Sequence, residues 1–153
     1  MSVAFRRESD EEHLEPKFEL PIPPGPNFVT PAGLAQIEAR VAELEAAVEA
    51  TSDELLLNEA KRDLRYWRNR QSTAQIAPLP HDGEVGIGSR VRFRLRGEEQ
   101  AMHITGYDEA DPAHGRIAFS APLARALIGT AAGDVADFAD EADAIRIIEV
   151  SVG

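Results

Sequence analysis

Leu34, Ile37, Val41, Leu44 and Val48 recur at alternating three- and four-residue steps. That spacing is the narrow seam of a coiled coil rather than the broader apolar face of a helix on a globular core. A second stripe has the same spacing: Leu57, Ala60, Leu64, Trp67, Gln71 and Ala74. The two are out of phase. Continuing the first would put Thr51, Leu55 and Asn58 on the seam, whereas the second begins at Leu57. A slip of two residues turns the stripe by about 200° on a helix of about 3.6 residues per turn. One straight helix would then carry two seams on opposite sides, while a turn near Ala50–Ser52 lets the seams face each other. Thr51 followed by Glu54 fits a capping box and so marks a fresh helix start. Asp53 suits the positive end of that helix. The expectation is an antiparallel hairpin over residues 29–76, with two helices of about 20 residues and a length of about 30 Å. The rival is an unbroken helix that dimerises.

Charge agrees with the hairpin. The first helix carries Glu38, Glu43, Glu45 and Glu49 against Arg40, and the second carries Lys61, Arg62, Arg65, Arg68 and Arg70 against Asp63. Antiparallel neighbours of opposite sign attract along the seam edges. This reading of the basic cluster is favoured over nucleic-acid contact. A net charge of −11 also makes the chain a poor candidate for wrapping duplex DNA by itself. Thr30 suits an N-cap, and Pro31 the first helical position, where its missing N–H is not needed.

The flanks differ in kind. Residues 1–28 are polar, then proline-rich through LPIPPGP, which can form neither helix nor central strand. They are expected to be a flexible or extended arm, a tether or a strip laid along the folded body, with a polyproline ligand as the alternative. The chain has no cysteine, so it has neither disulfides nor thiolate metal sites. No apolar run approaches the ~20 residues of a membrane helix, and Arg6-Arg7 is not followed by the apolar stretch of an export signal. A cytoplasmic location is expected.

Residues 77–82 read as a linker and 83–153 as a second domain. Val91, Phe93 and Leu95 alternate, Met102 and Ile104 follow across a turn at Gly97, and GRIAFSAP, VADF and AIRIIEVSV are further strand candidates. LARALIGTAAGD reads as a short helix closed by Gly129. Strands interrupted by one short helix predict a small antiparallel sheet, so the fold class is α+β. Chemistry is harder to assemble. His13, His81, His103 and His114 stand in unrelated contexts, and no G-x-S-x-G elbow or H-E-x-x-H motif occurs. GEVGIG lacks the Lys-Ser/Thr of a phosphate loop and reads as a bend between strands. Asp108, Glu109 and Asp111 could hold a hard cation, but Pro112 and Gly115 favour a plain turn.

The run ITGYDEADP, then GRIAFSAPLARALIG, then Gly133-Asp134, resembles the C-terminal signature of the GreA/GreB transcript-cleavage factors. VTPAGL at residues 29–34 resembles the family's opening into its first coiled-coil helix, and AQIAP its exit from the second. The resemblance spans about residues 29–150 and leaves the arm outside it. It implies an FKBP-like C-terminal domain docked on RNA polymerase at the mouth of the secondary channel, with the hairpin directed into that channel. Docking would fall to Asp108, Glu109, Asp111, Ser120, Pro122 and Arg125. In the family, acids at the hairpin tip help hold a second Mg²⁺ at the polymerase's own active centre, where added carboxylates activate water for hydrolysis of backtracked RNA. Here the nearest tip acids are Glu49, Asp53 and Glu54. The chain is therefore expected to be an accessory factor with no catalytic residue, metal or cofactor of its own. Mg²⁺ would be shared only if the tip reached it, and nucleic acid met only inside the polymerase complex. A monomer without membrane contact is expected.

Three departures qualify this. Ala121 stands where the family usually has serine, the family's G-D-x-x-E-N tip motif is absent, and the hairpin is shorter by several turns per helix. A dozen residues fewer per helix would withdraw the tip by about 18 Å. A Gre-like elongation regulator with little or no cleavage stimulation is thus the first expectation. A full cleavage factor using Asp53 and Glu54, or an FKBP-like binding module unrelated to polymerase, are the alternatives.

Overall fold

A computed structural model describes residues 19–152. The first eighteen residues of the arm expected over 1–28 lie outside the described residues. The described part divides into two compact units. One contains Ala35–Thr73 and the segment before Pro26; the other contains Pro26–Leu34 and the chain from Ala74 onward.

The first unit is the hairpin. Helix α1 runs Pro31–Ala50 and helix α2 Glu54–Thr73, each of 20 residues. At about 1.5 Å per residue each is about 30 Å long. Val41, Leu44 and Leu64 are buried together, with Val48 and Trp67 packed against them, so the two out-of-phase stripes do face one another. Arg68 reaches Glu45 across the hairpin at 3.0 Å, as the opposite charges of the helices anticipate. Both groups are at least half exposed, so the pair orients the helices more than it stabilises them. Arg65 grips the carboxylate of Glu19 with two hydrogen bonds of 2.6 and 2.7 Å. The guanidinium holds Glu19 below the usual carboxylate range. This contact ties the start of the described proline-rich segment to α2.

The turn is capped differently from the expectation. Thr51 still donates its amide to the carbonyl of Ala47, so the first helix's ladder runs on to it. The N-cap of α2 is Asp53, whose carboxylate accepts from the amide of Leu56 at 3.0 Å. Thr51 and Glu54 do not form the capping box.

The second unit is a five-stranded sheet, in the order β5-β4-β3-β7-β6. Its strands are β3 (Ser89–Leu95), β4 (Glu98–Thr105), β5 (Arg116–Ala118), β6 (Val135–Phe138) and β7 (Glu141–Val152). A parallel pair, β1 (Phe28–Val29) and β2 (Gln75–Ile76), joins the segment entering α1 to the segment leaving α2. Helix α3 (Pro122–Leu127) is the short helix. Val91, Phe93, Ile104, Ile117, Ala124, Leu127, Ile145 and Ile147 form the core, while Arg90, Arg92 and Arg94 point to the other face of β3. Arg96 and Gly97 both have positive φ (52° and 86°), which turns β3 into β4 in the tight two-residue hairpin expected around Gly97.

One expectation is corrected. The fold class is α+β, but the sheet is mixed rather than antiparallel, because β5 pairs parallel to β4. Between them the chain runs back through Gly106–Gly115, including a 3₁₀ turn at Pro112–His114, before laying β5 down in the same direction. A parallel neighbour requires such a crossover.

Candidate functional site

The parallel pairing decides which expected docking residues meet. Thr105 at the end of β4 stands beside Ala118 at the end of β5. Both strands therefore finish at one end of the sheet. The loop that starts at Gly106 and the segment Ser120–Arg125 both leave from there. Ser120, Pro122 and Arg125 are exposed, and Asp108 is half-buried. Neither the Ser120 hydroxyl nor the Arg125 guanidinium has a partner among the described residues, so both are open to one outside the chain. Pro122 occupies the first position of α3, where its fixed φ suits the helix. Its N-cap, Ala121, has the extended backbone of a cap but offers no side-chain acceptor.

Two of the expected docking carboxylates are committed elsewhere. Glu109 is only 8% exposed. The Thr30 hydroxyl lies 2.7 and 2.8 Å from its two oxygens, and the amide of Gly106 approaches one of them at 3.4 Å. The same Thr30 oxygen accepts from the amide of Gly33 at 3.0 Å, closing the N-cap of α1. Gly33 is required here, since a Cβ would overlap the Glu109 carboxylate. Gly106 is required too, since its Cβ would stand 2.5 Å from the carbonyl oxygen of Phe28. Glu109 is thus a bolt between loop and helix start and drops out of the docking set. Its burial follows from chemistry, because a carboxylate leaves water only where donors replace it. Asp111 is carried back to the start of β5, where its carboxylate meets His114 at 2.6 Å and Arg116 at 3.5 Å. His114, then Arg116, hold it below the usual carboxylate range.

At the far end of the hairpin Glu49, Asp53 and Glu54 are all exposed. Asp53 has one oxygen engaged as a cap. Leu55 and Leu56 stand beside them, 41% and 55% exposed, so this end mixes acids with apolar surface. No group of three or more His, Asp or Glu side chains gathers in metal-holding geometry among the described residues. No described helix is long and apolar enough to cross a membrane.

The sequence reading missed the bolt of Thr30, Gly33 and Glu109. One signal was available: a glycine in the first turn of an otherwise good helix former costs stability and so asks for a packing reason.

Comparison with known proteins names the class. Residues 79–151 match the family model described as "Transcription elongation factor, GreA/GreB, C-term". The chain is 31% identical over 137 residues to the transcription elongation factor GreA of Pseudomonas putida, covering 88% of this chain and 82% of that protein. It is 42% identical over 67 residues to GreA of Nitratiruptor sp., covering 42% of this chain and only 40% of that protein. Among solved structures, GreA factor homolog 1 of Thermus thermophilus aligns with a TM-score of 0.40 at 18% identity, over 83% of this chain and 99% of that one. The chain belongs to the GreA/GreB family of transcription elongation factors.

Proposed function

We propose that the chain is an accessory elongation factor that binds RNA polymerase at its secondary channel and does not stimulate transcript cleavage. The observation that carries the second half is the tip. Its helices are 20 residues each, and the carboxylate of Asp53 already caps α2. A tip acid that completes a Mg²⁺ site must bring a free oxygen within about 2.0–2.6 Å of the ion, and side-chain flexibility cannot make up a shortfall of several helical turns. Docking falls to Asp108, Ser120, Pro122 and Arg125 at the common end of β4 and β5. Arg125 supplies an unpaired guanidinium suited to a carboxylate on the polymerase. The factor contributes surface and occlusion, and any hydrolysis remains the polymerase's own.

A second reading, full cleavage stimulation, is favoured by the exposure of Glu49, Asp53 and Glu54 together at the turn. Two assays separate the readings. In co-purification with core RNA polymerase, wild type is retained and Arg125→Glu is weakened by about tenfold or more; failure of wild type to bind removes the proposal altogether. On stalled elongation complexes, wild type leaves the cleavage rate unchanged. If it stimulates cleavage and Asp53→Asn abolishes that, the second reading holds, because asparagine keeps the cap and removes only the charge.

A further inference from the structure

We propose that the outer face of the sheet binds a small phosphate-bearing ligand, in a cavity between Arg90, His103 and Arg116. Strand register sets four polar side chains in one row. Arg116 of β5 stands beside His103 of β4, His103 beside Arg90 of β3, and Arg90 beside Ser151 of β7. These residues line a cavity of about 440 Å³, within the usual range for small-molecule sites. The next row gives the cavity its floor, because Ala101 lies opposite Arg92 and is too small to fill the space between the arginines.

Charge on this face is nearly balanced, with one arginine left over. Three guanidinium groups, Arg90, Arg92 and Arg116, line the cavity against one carboxylate, Glu149, in a molecule of net charge −11. Arg92 is neutralised by Glu99 and Glu149 at 3.1 and 3.0 Å, and Arg116 in part by Asp111 at 3.5 Å. Arg90 has no ion pair among the described residues. His103 lies between Arg90 and Arg116 in the row, with its Nε2 shielded from solvent. Burial, then Arg90, push the imidazole below its ordinary range. A free guanidinium fork, a second one in the same row and the Ser151 hydroxyl suit a tetrahedral oxyanion. The site stands apart from the docking residues and does not depend on polymerase binding.

Calorimetric titration of the full chain tests this, with inorganic phosphate, pyrophosphate and adenosine triphosphate as probes. A dissociation constant of about 1 mM or tighter is expected for at least one of them. Arg90→Ala should weaken it by about tenfold, the worth of one charge-assisted hydrogen bond. Ala101→Leu should do the same by filling the floor at unchanged charge. Arg94→Ala, on the same face outside the cavity, should leave it within about twofold. Tighter binding of the nucleotide than of pyrophosphate would make the base part of the ligand; equal binding would make the phosphate group sufficient. Absence of binding to all three probes overturns the proposal. So does equal weakening by Arg90→Ala and Arg94→Ala, or an unchanged affinity in Ala101→Leu, since either would reduce the effect to diffuse attraction.

Discussion

Glu109 sits in a run of carboxylates that reads as surface, and its neighbours Asp108 and Asp111 do keep contact with solvent. It is buried because two donors wait for it: the Thr30 hydroxyl, within reach of both oxygens, and, at longer range, the Gly106 amide. Its connection to Thr30 spans 79 residues, so no local pattern could announce it. The arrangement reverses an ordinary rule. Replacing a helical glycine by alanine normally stabilises by about 1 kcal/mol. At Gly33 the new Cβ must displace a carboxylate locked in place, so Gly33→Ala is expected to destabilise by about 1–3 kcal/mol in urea unfolding. Glu109→Ala should destabilise by a similar amount through the lost hydrogen bonds. Combining them should cost much less than the sum, because the clash disappears with the carboxylate. Additive losses, or a stabilised Gly33→Ala, would show that the bolt is absent.

Elements with a long repeat were legible, and short ones were not. Each hairpin helix offers several turns of seam, and the two-residue slip between the seams located the reversal. The choice of cap was not legible, since Thr51 and Asp53 both fit and only the extent of α1's ladder decides between them. In the sheet, alternation located β3, where Val91 and Phe93 are buried between exposed neighbours; in β4 it is blurred, because Ile104 lies between half-buried His103 and buried Thr105. It could not give the direction of β5, a strand of three residues, because alternation is the same for parallel and antiparallel partners. The end of the sheet from which the Gly106 loop and the segment Ser120–Arg125 both leave depends on that direction, so the residues proposed for docking could be named through the resemblance but not assembled. Helix α3 carries a testable weakness. Ala121 holds the backbone of an N-cap, with φ −67° and ψ 148°, and provides no acceptor for the amides of the first turn. Ala121→Ser should raise stability by about 1 kcal/mol, read as a higher urea midpoint at unchanged slope. No gain would mean that those amides already have other partners.

At the scale of the molecule, the part recognised by similarity and the part that packs are not the same. The family model covers residues 79–151, yet the compact sheet unit includes Pro26–Leu34 from before the hairpin. Val29 in that segment is 2% exposed, Phe28 meets Phe119 edge-on at 5.8 Å between ring centroids, and Thr30 holds Glu109. The parallel β1–β2 pair then binds the two chain crossings together, through Gln75 to Asn27 and Ala77 to Val29, each at 2.9 Å. Residues 35–73 thus interrupt the sheet unit in sequence, which takes in chain from both before and after them. A fragment beginning at Pro78 should keep the five-stranded sheet but lose the burial of Val29 and the satisfaction of Glu109. It is expected to be less stable than a chain in which residues 35–73 are replaced by a short glycine-serine linker, by about 3 kcal/mol or more. Denaturant unfolding of the two forms measures the difference directly. Equal midpoints would mean that the segment before the hairpin only lies on the sheet. A large gap would mean that Pro26–Leu34 is part of the core of the sheet unit.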